Sequence, residues 1–206
     1  MMRYLPAALL GVLLATAPST LYAQASPETV STLAADLYDA QQAHLWRVGG
    51  WGGANLIGGL ALWLSTHRAD RPARWSFGGM TAGWGAVNLG IAALGGLALD
   101  PPATTTAAAL SAERTYHDLL LLNLGLNVAY MGVGGTMLAA GYRNVGHAPE
   151  WRGAGTALLI QGAGLLALDG VAFIASRSRL GELIQTATGA VSLHIGPSRV
   201  ALAIGL

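Results

Sequence analysis

The chain contains no cysteine. Disulfides, thiolate metal sites and thiol redox chemistry are therefore excluded outright. Charge is scarce as well. Charged side chains make up 10% of the 206 residues, where a soluble globular domain carries about 25%. That deficit rules out an ordinary water-soluble protein of this size. Lysine is missing altogether, and the basic residues are scattered arginines with a net charge of +1. No dense basic patch appears, so nucleic acid is not an expected partner. No phosphate-binding glycine loop, zinc-binding helix or serine-nucleophile elbow is present.

What the chain does have is apolar surface and glycine. Hydrophobic residues reach 53%, glycines number 29, and the mean hydropathy is +0.48. The first 25 residues read as a signal peptide. Arg3 supplies the positive end, Leu5 to Ala15 a compact apolar core, and Ala23-Gln24-Ala25 the small residues for cleavage after Ala25. The apolar core is shorter than the ~20 residues a span requires. An uncleaved anchor helix is the alternative.

Ser26-Pro27-Glu28 predicts a helix start, with a capping serine, a proline and an acid in the first turn. Val30, Leu33, Leu37 and Ala40 follow at helical spacing, with Asp36, Asp39, Gln41 and Gln42 between them. The pattern predicts an amphipathic helix over residues 26–46, lying at the membrane surface. A four-helix transmembrane domain is then expected over residues 47–176, with spans near 48–64, 76–99, 118–142 and 153–176. Trp46 and Trp63 flank the first span, where aromatic rings favour the headgroup zone. Gly49-x-x-x-Gly53 and Gly79-x-x-x-Gly83 are candidate close-approach motifs.

Arginines set the expected orientation. The first loop carries Arg68, Arg71 and Arg74 against Asp70, and the third carries Arg143 and Arg152 against Glu150. Both loops are predicted to face the cytoplasm. The expected setting is a bacterial inner membrane with the mature N-terminus in the periplasm. Arg177 and Arg179, after the fourth span, count against this orientation. The tail, residues 177–206, alternates as Val191, Leu193, Ile195 and then Val200, Leu202, Ile204 around Gly196-Pro197-Ser198. That is a β-hairpin pattern.

Each span carries polar side chains. Trp51-Gly52-Gly53-Ala54-Asn55 is echoed by Trp84-Gly85-Ala86-Val87-Asn88; the third span has Asn123, Asn127 and Tyr130, and the fourth Gln161 and Asp169. Four polar stripes will turn inward, away from lipid. Amides donate and accept, so they can close a hydrogen-bonded layer without charge. Asn55, Asn123 and Asp169 are expected in an outer layer, and Asn88, Asn127 and Gln161 nearer the middle. A mid-helix aspartate costs about 2.5–3.5 kcal/mol to insert. No arginine lies inside a span to pair with Asp169, so Asn123 or Asn55 is its expected partner. Tyr130 reads as a packed ring with a bonded hydroxyl.

His44, His117 and Asp118 sit at the outer span ends. Together with Asp169 they form a candidate outer-face site, although interfacial helix-end residues are the simpler account. No metal or cofactor is predicted, because two separated histidines make a weak ligand set.

Phe77–Asn88 (FGGMTAGWGAVN), Asn123–Tyr130 (NLGLNVAY) and Gln161–Asp169 (QGAGLLALD) resemble a family of four-span membrane proteins, a domain of unknown function of Bacteroidetes-type bacteria. The resemblance covers about residues 45–176. In that family a histidine and a further asparagine often precede the Gly-Trp pair, and an aspartate can replace the third-span amide. Here Gly78, Thr81 and Asn127 stand at those positions. The resemblance implies four spans and supplies no reaction.

The overall expectation is an all-α membrane protein. Its first functional reading is a non-enzymatic polar-core bundle serving as scaffold or interaction partner. The alternative is a small-molecule or proton-linked transporter using Asp169 and the amide layers. A membrane enzyme built on His44, His117 and Asp118 is the third. The bilayer is the expected partner, with a second copy of the chain as another candidate.

Overall fold

A computed structural model describes residues 27–143, 145–189, 191–196 and 199–204. The signal peptide expected over residues 1–25 lies outside them. Among the described residues, four helices follow one another: α1 (Pro27–Leu64), α2 (Pro72–Leu97), α3 (Thr106–Ala140) and α4 (Ala148–Gly189). After them, Val191–Gly196 and Arg199–Ile204 pair antiparallel, with Val191 opposite Ile204 and Gly196 opposite Arg199.

Local chemistry explains the helix ends. Pro27 and Pro72 stand in first turns, where the missing N–H is one a helix leaves unpaired anyway. Asp100-Pro101-Pro102 follows α2, and proline cannot continue its ladder. The Thr105 hydroxyl then accepts from the Ala108 N–H at 3.2 Å and caps α3. His147, with φ of 60°, turns the chain into α4.

The helices alternate in direction. α1 packs along α2, α3 along α4, and α2 against α4 joins the two pairs; α1 reaches α4 across the middle and touches α3 less. Three of them, α2, α3 and α4, are long and apolar enough to cross a membrane. The apolar run of α1, residues 48–64, is short and holds six glycines. At about 1.5 Å per residue, the 26 residues of α2 reach about 39 Å and the 42 of α4 about 63 Å. A hydrocarbon core is ~30 Å thick.

The extra length of α1, α3 and α4 lies at one end, beyond the C-terminus of α2. There the packing follows the rule for water: Val30, Leu33, Ala34, Ala109 and Leu183 form a buried apolar cluster, while Glu28, Thr32 and Asp36 face outward. Further along the bundle the rule inverts. Ile57, Leu64, Ile91, Leu94, Val128 and Ile174 are exposed, whereas Asn88, Asn127, Gln161 and Asp169 are buried. An apolar surface over a polar interior is the arrangement that lipid selects.

The surface helix expected over 26–46 is therefore not separate. It is the first half of a continuous α1, and Leu37 packs with Tyr116, Leu120 and Ala172 instead of facing a bilayer. Likewise α3 starts twelve residues before the expected Asp118, and α4 runs thirteen past Ser176. Those turns have polar outer faces, which made them resemble loop and tail.

Glycines set the spacing of α1 and α2, and each expected motif puts only its first glycine at the interface, Gly49 against Ala92 and Gly79 against the Trp63 ring. Gly53 and Gly83 face open space. Gly52 and Gly59 on α1, and Gly78 and Gly85 on α2, lie backbone to backbone across the interface. A Cβ at Gly78 would stand 2.7 Å from the Trp63 nitrogen, and one at Gly59 would collide with the Ala82 backbone. Each pair is seven residues apart, which keeps it on the facing seam of two helices crossing at a shallow angle. Overpacking such a seam costs about 1–3 kcal/mol. Gly59→Ala should lower stability by that amount in detergent, followed by thermal loss of the helical circular dichroism signal. Gly53→Ala should leave the melting temperature unchanged or raise it.

Candidate functional site

One face of α4 carries most of the interior. Gln161, Leu165, Asp169, Ala172, Ser176 and Leu183 are all buried, at steps of three, four and seven. Their polar members anchor three stacked layers. Eight residues separate the first two and seven the next, so the layers are about 10–12 Å apart.

The first layer centres on Gln161. Its Oε1 accepts from Trp51 Nε1 at 2.9 Å and from Asn88 Nδ2 at 3.4 Å. Gly164 makes this possible, because a Cβ there would strike the Trp51 indole. Trp84 and Tyr130 pack beside each other, with centroids 4.7 Å apart. Asn55 does not join: its Nδ2 donates to the Trp51 carbonyl of its own helix at 2.7 Å. Asn123 is half-buried and has no hydrogen bond among the described residues.

The second layer holds Asp169. Its Oδ1 lies 3.0 Å from His44 Nε2, and its Oδ2 accepts from Asn127 Nδ2 at 2.6 Å. The expected partners, Asn123 and Asn55, are both replaced. His44 was expected at the surface, but the continuous α1 carries it into the bundle, where it is 6% exposed. Asn127 accordingly belongs with Asp169 rather than with Asn88 and Gln161. The His44 ring also meets Tyr116 edge-on at 6.4 Å. His44 Nδ1, the Tyr116 hydroxyl and Gln161 Nε2 are buried with no hydrogen-bond partner.

The third layer is an ion pair that sequence reasoning missed. The fully buried Glu113 carboxylate accepts from Arg179 Nε at 2.9 Å and Nη2 at 3.2 Å. This fork-to-carboxylate geometry is the strongest form of the interaction. Ser176 Oγ donates to Glu113 Oε1 at 2.5 Å and lies 3.4 Å from His117 Nδ1. The His117 ring stacks on Phe173 at 4.5 Å. Glu113 falls between the expected second and third spans and Arg179 within the expected tail. The available signal was the seven-residue spacing of Glu113, Leu120, Asn127 and Gly134, all buried on α3.

Of the expected outer-face site only His44 and Asp169 come together, and they do so inside the bundle. His44 and His117 join different layers, and Asp118 is exposed. Nor does the serine, histidine and acid of the third layer form a hydrolytic triad. A nucleophilic serine gives its proton to histidine and opens onto substrate. Here Ser176 donates to the acid, is fully buried, and the acid is already engaged by Arg179. Among the described residues, no three histidine or carboxylate side chains gather closely enough to hold a metal ion.

The model of a family of unknown function (DUF6992) matches residues 47–170, and the chain belongs to that family. No curated protein and no solved structure matches the chain. The matched segment contains Trp51, Asn88, Asn127, Gln161 and Asp169, but stops short of His44, Ser176 and Arg179.

The layers differ in what they contribute. Removing one partner of a buried ion pair strands a charge and costs about 3–5 kcal/mol. An interhelical amide bond in a membrane is worth about 0.6 kcal/mol. Arg179→Ala should therefore destabilise the bundle more than Trp51→Phe, which removes the indole donor and the part of the ring packed against Gly164 but strands no charge. Parallel thermal melts of the two variants in one detergent measure the difference.

Proposed function

We propose that this member of the family is a non-enzymatic membrane scaffold, a bundle whose polar interior is spent on its own helices. One observation carries the reading: Asn88 binds Gln161, Asn127 binds Asp169, Glu113 binds Arg179 and Ser176, and the five are each at most 4% exposed, while the described atoms left without a partner, His44 Nδ1, the Tyr116 hydroxyl and Gln161 Nε2, are themselves buried. A carrier site needs polar groups that water and solute can reach. These are sealed.

In this reading all four helices cross the bilayer. Residues 48–64 of α1 accompany α2 along the glycine seam, and α2 is apolar enough to span. The orientation follows from charge. The end holding the α1–α2 and α3–α4 turns carries Arg68, Arg71, Arg74, Arg143 and Arg152 against Asp70 and Glu150. The opposite end carries Glu28, Asp36, Asp39, Asp100, Glu113, Asp118 and Glu182 against Arg47, Arg114, Arg177 and Arg179, with Arg199 in the second strand beyond α4. Arginine excess marks the cytoplasmic side. Arg179 does not oppose this assignment, because Glu113 neutralises it inside the bundle. The acidic end, with its three-helix extension, then projects into the periplasm of a bacterial inner membrane. That projecting layer is the surface available to a partner or to a second copy of the chain.

Two measurements test the proposal. Asp169→Asn removes the charge and keeps an oxygen that can accept from Asn127. The variant should stay folded in the membrane and should support whatever growth phenotype deletion of the gene exposes. Failure to complement the deletion with the melting temperature unchanged would contradict a scaffold. The natural absence of cysteine allows single-thiol mapping. An impermeant maleimide applied to cells with a permeabilised outer membrane should label Asp36→Cys and spare Ser65→Cys.

A further inference from the structure

Beyond the C-terminus of α2, the segment 98–103 frames a chamber of about 530 Å³ together with α1 and α3. That volume is within the roughly 300–1,000 Å³ of ordinary small-molecule sites. The helices leave it open because they line it with short side chains. Ala34 on α1 and Ala108, Ala109 and Ala112 on α3 each bring a single methyl group. Leu37, Tyr38 and Tyr116 add apolar and aromatic wall, and Asp100-Pro101-Pro102 supply the remaining side. Each proline fixes its own φ, so this strap is stiff before any ligand arrives.

The polar groups of this chamber differ from those of the three layers, which bind one another. Tyr38 and Gln41 are half-buried and Asp100 is exposed, and all three line the chamber. Among the described residues, none of the three side chains is held in a hydrogen bond or an ion pair. Thr115, also in the lining, donates its hydroxyl to the Ser111 carbonyl at 3.0 Å and keeps its lone pairs. The surrounding charge is negative. No arginine lines the chamber. Asp36 and Asp39 stand exposed on α1 to either side of Tyr38, against the exposed Arg114 next to Thr115 on α3. An apolar chamber thus carries one free carboxylate, two tyrosine rings and further oxygen acceptors.

We infer that this chamber binds a small organic amine from the aqueous phase, with its apolar body against Leu37 and the alanines and its ammonium at Asp100. A carboxylate and the faces of tyrosine rings both favour a cation. Gln41 and Thr115 supply acceptors for the remaining ammonium hydrogens. The chamber belongs to the three-helix extension, where apolar residues turn inward and charged ones outward, so water and not acyl chains reaches it. This site goes beyond the scaffold reading and holds for either orientation of the bundle.

Isothermal titration of the full chain in phosphatidylcholine nanodiscs tests it, with phenylpropylamine and its isosteric alcohol, phenylpropanol, as probes and empty nanodiscs as the blank. The wild type should bind the amine about five-fold more tightly than the alcohol, the scale of one partly exposed charge pair. Asp100→Asn keeps the shape and removes the charge, so most of that preference should disappear while the alcohol binds as before. Ala108 is exposed, so Ala108→Leu should keep the wild-type melting temperature and weaken both probes by filling the chamber. Equal affinity for amine and alcohol in the wild type, or a preference that survives Asp100→Asn, would overturn the amine site. Undiminished binding to a folded Ala108→Leu variant would place the probes elsewhere and overturn it too. Displacement of the amine when phosphatidylethanolamine replaces phosphatidylcholine would assign the chamber to a lipid headgroup and overturn the soluble ligand.

Discussion

A carboxylate inside an apolar shell has to find its partners within the protein, because lipid offers none. Asp169 meets that condition through two helices at once, His44 of α1 and Asn127 of α3. This constraint organises the middle of the bundle. If α4 slid by one turn against α3, Asp169 would leave Asn127 and Gln161 would leave Trp51. The amide bonds are individually weak. Their value is that they are satisfied together in only one register, while the apolar contacts around them would tolerate several.

The register has a backbone counterpart. Glycine pairs seven residues apart bring α1 and α2 together, and Gly134 and Gly155 do the same for α3 and α4; a Cβ at either would stand under 3 Å from the opposing backbone. The same seven-residue period recurs on α1 as Leu37, His44 and Trp51, and on α4 as Asp169, Ser176 and Leu183. Small, polar and apolar residues therefore take turns on one seam, the pattern of a shallow-angle four-helix bundle. Close approach and polar pairing reinforce each other. Between α2 and α4, where Asn88 meets Gln161, Gly153 allows the same close approach, since a Cβ there would strike the Ala73 carbonyl.

Much of this was legible from residue spacing, and the failures have definite causes. Asn88, Asn127, Gln161 and Asp169 were expected inside, and they are buried. Asn55 satisfied the same periodicity but bonds its own helix, an outcome that periodicity cannot distinguish. His44 was grouped with Asp169 only in the outer-face alternative, because a helix end at the bilayer surface made Asn123 or Asn55 the nearer expected partner; the continuous α1 carries His44 to Asp169 inside the bundle. Glu113 and Arg179 were missed because charged residues flanking apolar runs read as loop. Helix length was the hidden variable: hydropathy marks where a helix is greasy, and it is silent about turns that continue into water. Gly53 and Gly83, the second glycine of each motif, face open space for a related reason. A four-residue spacing is common by chance in a chain with 29 glycines, and only the facing helix decides which glycines are used.

The segment shared with the family, residues 47–170, is consequently less than the structural unit of this chain. Within that segment Asp169 keeps Asn127 and loses His44, and Glu113 loses both Arg179 and Ser176. The buried charges at the acidic end are satisfied only by turns outside the matched region. The N-terminal half of α1 and the C-terminal third of α4 thus cover polar groups that the shared bundle leaves open. Tyr116 borders both layers: its ring meets His44 of the Asp169 layer, and it packs in the apolar cluster with Leu37 and Ala172. The extension and the bundle therefore form one packed body, joined where the interior changes from polar to apolar.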